Sequence, residues 1–226
     1  MPRFPAIIFD MDGVITDTEP LHRRAELRVC RNHGLNPPES DWRGFQGMTT
    51  VGIFGILVGR YGQGREDLDP EAMAGEKGRF YEEMGQKEGL PTIPGAIEFI
   101  RKARDFFDRT ALATSSEVSI QKLTFDRYGL WPYFDAVVTG NDVRCGKPWP
   151  DPYLLASERL GLAPSDCLVI EDSDNGIRSA LAAGCTPVGF TGNFPSGLLL
   201  AVGARATFDS YGELEERLRS GTLVAC

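Results

Sequence analysis

The run AIIFDMDGVITDTE, residues 6–19, sets four apolar residues directly ahead of Asp10 and Asp12. An unbroken apolar stretch of this length, rich in β-branched residues, has the character of a strand buried on both faces, as in parallel sheets. One carboxylate at its end would serve as a cap. Two of them, followed by Gly13 and then by more acid, mark a site.

Similar short runs recur along the chain: TALAT (110–114), FDAVV (134–138), CLVIED (167–172), TPVGF (186–190) and ATF (206–208). Helical patterns alternate with them at 94–106, 116–129, 150–161, 173–184 and 210–221, several opening on Ser, Asp or Pro and closing on Gly, as capping chemistry prefers. Strands alternating with helices predict an α/β fold, a doubly wound parallel sheet. Between Asp17 and about Gly89 the rhythm breaks. PLHRRAELRVCRNHG and PEAMAGEKGRFYEEMG carry helical periodicity, and no persuasive strand separates them. The expected organisation is a core of residues 1–16 and 91–226 with an inserted α-helical cap domain, residues 17–90. The Gly-rich VGRYGQG (58–64) has no strand–helix unit around it and is expected to be a flexible loop rather than a nucleotide loop.

Ligands of doubly wound sheets bind beyond the carboxyl ends of the strands, so the strand ends locate the site. They carry Asp10 and Asp12, then Thr114, Ser115 and Ser116, then Glu171, Asp172 and Asp174, with Lys147 in the loop RCGKPWPDPY. Clustered carboxylates need a cation, because two unit charges at about 4 Å repel by roughly 4 kcal/mol at an effective dielectric near 20. Oxygen ligands without His or Cys favour a hard ion, Mg2+ ahead of Zn2+. Hydroxyls and a lysine beside such an ion suit a phosphate. Asp10 could then attack phosphorus to form an aspartyl-phosphate. Asp12, just past the strand end, could protonate the leaving group and later activate water.

Composition narrows the alternatives. A net charge of −8 and a pI near 4.9 leave no electrostatic footprint for nucleic acid or an anionic membrane. Five scattered cysteines without a C-x-x-C pair signal neither a disulfide framework nor a zinc site. The expectation is a cytoplasmic protein without a membrane span, acting on a small phosphorylated metabolite, as a monomer or a small homo-oligomer.

Four ordered motifs, FDMDGVITDTE, ALATSS, CGKPWPDPY and LVIEDSDNGI, carry a resemblance that spans nearly the whole chain. It resembles the haloacid dehalogenase superfamily, in its helical-cap subfamily and near the branch of β-phosphoglucomutase and small-molecule phosphatases. The resemblance implies Asp10 as nucleophile, Asp12 as acid and base, and Thr114, Ser115 and Lys147 as the phosphate-binding region. It implies Mg2+ held by the Asp10 carboxylate, the Asp12 carbonyl and Asp172, with Glu171 contributing directly or through water. It implies a sheet ordered 5-4-1-2-3 and a cap that opens and closes. The second Asp of the first motif is the feature of members that act on phosphate esters. His22 and Lys77 fall where the mutase branch places a cap histidine and lysine, whereas its cap arginine is replaced by Thr50 and its sugar-contacting Asn by Val118. Hydrolysis of a small phosphomonoester, such as a sugar phosphate or phosphoglycolate, is therefore the expected reaction. Mutase activity and a non-catalytic binding module are the alternatives. Lys77, next to Glu76, is expected on a solvated helix face, with substrate contact as the other reading; His22 and Arg43 are further cap candidates.

Overall fold

The computed structural model describes residues 4–42, 45, 50–116 and 118–224. Its strands are β1 (Ala6–Phe9), β2 (Arg109–Ala113), β3 (Ala136–Val138), β4 (Cys167–Glu171), β5 (Thr186–Phe190) and β6 (Ala206–Phe208). They form a parallel sheet in the order β3-β2-β1-β4-β5-β6. The order implied by the resemblance is present, with β6 added at one edge. Chain order reverses around β1, which pairs with β2 on one side and β4 on the other. This is the switch point where a crevice opens beyond the strand ends.

The side chains of β1 are fully buried, which accounts for the unbroken apolar run. Ala6 and Ile8 join Ala111, Val169 and Cys167 in a core layer with Tyr153, Ala156, Ala180 and Ala183. Phe9 instead meets Phe99 and Phe134 edge-on at 6.1 Å, as strand alternation requires. Each buried Ile or Phe stabilises the sheet by roughly 1.5–3 kcal/mol. The helices covering the sheet are α5 (Ala96–Lys102), α6 (Val118–Tyr128), α7 (Asp151–Leu160), α8 (Asp174–Ala183), α9 (Ser196–Val202) and α10 (Tyr211–Ser220), numbered after the helices described within residues 19–89. Ser173 and Ser210 cap α8 and α10 through their hydroxyls. The expected helix at 94–106 stops being α-helical at Lys102 and ends in a 3-10 turn.

The chain divides into two compact units, Met1–Thr18 with Leu90–Cys226, and Glu19–Gly89. The second contains α1 (Glu19–Asn32), α2 (Glu39–Trp42), α3 (Thr50–Tyr61) and α4 (Pro70–Glu88). Its core gathers Val29, Leu35, Trp42, Phe54, Leu57 and Met73. Asp69 caps α4 by accepting from Glu71 N–H, and Pro70 occupies the first turn.

Helix α3 corrects the loop reading of VGRYGQG: Val58–Tyr61 form its last turn, and only Gly62–Gly64 leave the helix. Gly52, Gly55 and Gly59 weaken the helical signal of this segment, each costing about 1 kcal/mol relative to Ala. Burial of Ile53, Phe54 and Leu57 outweighs that cost. Among the described residues no helix is long and apolar enough to cross a membrane.

Candidate active site

Asp10 continues the line of β1, its N–H donating to Ile170 O at 3.0 Å, and its side chain is buried at the sheet's carboxyl edge. The chain then folds back in a tight loop. Ile15 and Thr16 N–H donate to Met11 O, and Gly13 N–H donates to Thr16 O at 2.7 Å. Gly13 takes φ +78°, in the left-handed region that favours glycine. Asp12 therefore leaves the strand, and its carboxylate accepts from Thr18 Oγ1 at 3.0 Å and from Ser116 Oγ.

One carboxylate oxygen each of Asp10, Glu171 and Asp172 lies within 4.8 Å of the others. Lys147 reaches this group from the loop before α7. Its Nζ donates to Asp10 Oδ1 at 2.7 Å and to Glu171 Oε1 at 2.6 Å, and lies 5.1 Å from the Tyr153 ring centroid. Glu171 is fully buried and saturated with donors. Oε1 also accepts from Tyr153 Oη at 2.8 Å, and Oε2 accepts from Asp172 N, Ser173 N and Ser173 Oγ. Asp172 instead uses Oδ2 for Asn193 Nδ2 at 2.7 Å. Asp10 Oδ2 and Asp172 Oδ1 accept no hydrogen bond among the described residues.

The electrostatics follow from burial. Removal from water pushes the Asp10 carboxyl up to about 7; Lys147 opposes this, while Glu171 and Asp12 reinforce it. Burial, Glu171 and Asp10 likewise raise Asp172 well above the carboxylate range. For Glu171 burial works upward as well, but Lys147, Tyr153 and the Ser173 N–H hold it below its ordinary value. Burial alone would lower Lys147, yet Asp10 and Glu171 raise it. The ammonium thus stays charged, and the three carboxylates together exceed it by two charges when all are ionised. A divalent cation bound through hard oxygens matches that excess, so the donor set fits Mg2+.

Thr114 is buried at the end of β2, and its Oγ1 accepts from Ser116 N–H at 3.0 Å. Ser115 is exposed at the same turn. Of the hydroxyls expected there, it is Ser116 that reaches Asp12. The cap candidates sit in the helical unit: Lys77 Nζ lies 2.6 Å from His22 Nδ1, and the His22 ring stacks on Tyr81 at 4.3 Å. Lys77 is buried, which corrects the solvated-face expectation. A lysine on a charged helix still turns inward when α1 packs on α4 and offers it polar partners. Arg43 lies outside the described residues. Sequence reasoning missed Thr18, Tyr153 and Asn193. Asn193 follows the end of β5, so the strand-end rule carried one strand further reaches it; Tyr153 carried no polar signal beside its apolar neighbours.

An open parallel sheet that gathers buried acids and one lysine at its switch point defines an α/β enzyme with an aspartate-centred site. The family model of the haloacid dehalogenase-like hydrolases matches residues 4–184, and the chain belongs to that family. It is 37% identical over 188 residues to the fructose-1-phosphate phosphatase YqaB of Escherichia coli, covering 82% of this chain and 96% of that protein. It is 34% identical over 185 residues to hexitol phosphatase A of Escherichia coli, covering 81% of each. Among solved structures, CbbY from Rhodobacter sphaeroides in complex with phosphate is similar at a TM-score of 0.73 and 26% identity, covering 93% of this chain and 96% of that one.

Proposed function

We propose that this chain is a Mg2+-dependent phosphatase of small phosphomonoesters, of the phosphorylated sugar or sugar-alcohol type, working through an aspartyl-phosphate. The observation that carries the reading is the arrangement of Asp10. It is a buried carboxylate with one oxygen on Lys147 and the other open, flanked by an Asp12 held separately by Thr18 and Ser116. The names of the relatives, which specify fructose 1-phosphate and hexitols, support the substrate class.

In this mechanism Asp10 attacks phosphorus, forming an oxygen–phosphorus bond as the bond to the leaving alkoxide breaks. Asp12 gives its proton to that alkoxide, then takes a proton from water, which attacks the aspartyl-phosphate and releases phosphate and free Asp10. Lys147 has three N–H donors and uses two on Asp10 and Glu171, which leaves one for a phosphoryl oxygen. Thr114 Oγ1 accepts from Ser116 N–H and keeps its own proton to donate; the exposed turn at Ser115 completes the phosphate cradle. Mg2+, when bound, screens the negative charge that nucleophile and phosphate bring together. Asp172 would hold it through its open oxygen and Asp10 through its carboxylate, with the Asp12 carbonyl as a further ligand. Glu171, its oxygens already committed, serves the ion at one remove by fixing Lys147. The helical unit is assigned the role of the cap, and His22, Arg43 and Lys77 are its candidate substrate contacts.

Phosphate release from the purified protein across sugar phosphates, sugar-alcohol phosphates, phosphoglycolate and nucleotides, with Mg2+ and with EDTA, tests the reading. Metal-dependent release confined to the phosphorylated sugars and polyols is expected, with none from Asp10→Asn. Release by Asp10→Asn at the wild-type rate would refute the nucleophile, and isomerisation of β-glucose 1-phosphate outrunning release would replace hydrolysis by mutase chemistry.

A further inference from the structure

Asn193 sits in the segment between β5 and α9, far in sequence from the other residues of the site. Its Nδ2 donates to Asp172 Oδ2 at 2.7 Å. The contact is built into its surroundings: a Cβ at Gly13 would lie 2.0 Å from Asp172 Oδ2 and 2.7 Å from Asn193 Nδ2. The absence of a side chain at Gly13 is what gives this hydrogen bond its space. The segment does not need the amide to keep its path. Thr191 N–H and Oγ1 both donate to Phe208 O, and Ser196 Oγ lies 2.7 Å from Thr207 Oγ1. The amide's partner is instead the carboxylate that carries the one open oxygen on β4's end.

We propose that Asn193 is a positioning residue for the metal site: by occupying Asp172 Oδ2 it fixes the carboxylate's rotation and leaves Oδ1 as the single oxygen presented to Mg2+. The inference rests on the metal reading given above. A carboxylate free to rotate, or to turn both oxygens toward the ion, loses the preorganisation that outer partners of metal ligands supply. Removing such partners typically weakens metal binding about 10- to 100-fold.

The test is calorimetric titration of metal-free wild type, Asn193→Ala, Asn193→Leu and Asp172→Asn with Mg2+, alongside melting of each protein in EDTA. The expected result is a Mg2+ affinity at least about 10-fold weaker in both Asn193 variants, with melting in EDTA close to wild type. Leu keeps the bulk of Asn without its donor, so equal losses in the two variants trace the effect to the N–H. Wild-type Mg2+ affinity in both variants overturns the proposal, as does a lower melting temperature in EDTA with unchanged affinity, which would make Asn193 a loop-packing residue. Wild type that takes up no Mg2+, or Asp172→Asn that binds it normally, overturns the underlying metal reading and the inference with it.

Discussion

Gly176 shows how closely single atoms are specified here. A Cβ at this position would lie 1.7 Å from Glu171 Oε1, so the first turn of α8 closes over the carboxylate only because no side chain intervenes. Gly176→Ala must displace a fully buried, five-fold hydrogen-bonded anion. A loss of about 3 kcal/mol or more is expected, read as a lower urea midpoint, together with a fall in activity as Lys147 loses its anchor. Asp12→Asn preserves shape and removes the transferable proton. Its kcat should drop roughly 10²- to 10⁴-fold while Mg2+ binding measured by calorimetry is retained, since the ligand assigned to Asp12 is its carbonyl. A variant as fast as wild type would remove Asp12 from acid–base chemistry.

At the scale of elements, α1 and α3 carry separate tests. Glu26 on α1 is buried, and burial pushes its carboxyl up to about 7; Lys77 and Arg23 work against this and Glu19 adds to it. The folded protein thus holds a proton that the unfolded chain releases above the ordinary value of 4.5. Stability from this group is greatest below that value and falls as pH rises toward about 7, by up to roughly 3 kcal/mol. Glu26→Gln should flatten that part of the profile, measured by urea denaturation between pH 4 and 8, and an unchanged slope would exclude Glu26 as its source. In α3, Gly55 and Gly59 are exposed, and a Cβ at either meets nothing within 4 Å. Gly55→Ala and Gly59→Ala should each stabilise by about 0.5–1 kcal/mol, visible as a higher urea midpoint. These glycines are also why α3 was hidden in the sequence. Its helix-forming energy comes from residues packed against it, which local propensity does not contain. Helices α1 and α4 were legible because each carries its own apolar stripe.

For the molecule as a whole, the proposed metal site, three buried carboxylates facing one lysine, makes stability a test of metal binding. By mass action, free Mg2+ at 100 times its dissociation constant should stabilise the fold by about 2.7 kcal/mol. Melting at neutral pH should therefore rise with Mg2+ and return with EDTA, and Asp172→Asn should abolish the rise. The sheet and most of the acids are readable for one reason: a parallel strand buried on both faces is apolar along most of its length, so the polar residues that close its run, as Glu171 does at the end of β4, stand at the carboxyl end of the sheet. AIIF followed by Asp10, and LVI followed by Glu171 and Asp172, state that directly in the chain. What the sequence alone determined was this placement of carboxylates and hydroxyls at strand ends. Tertiary structure decided which oxygens remain open. Glu171 is saturated, Asp12 belongs to Thr18 and Ser116, and Asp172 is held by Asn193, because hydrogen bonds between distant segments depend on where loops return, and no local periodicity encodes that path.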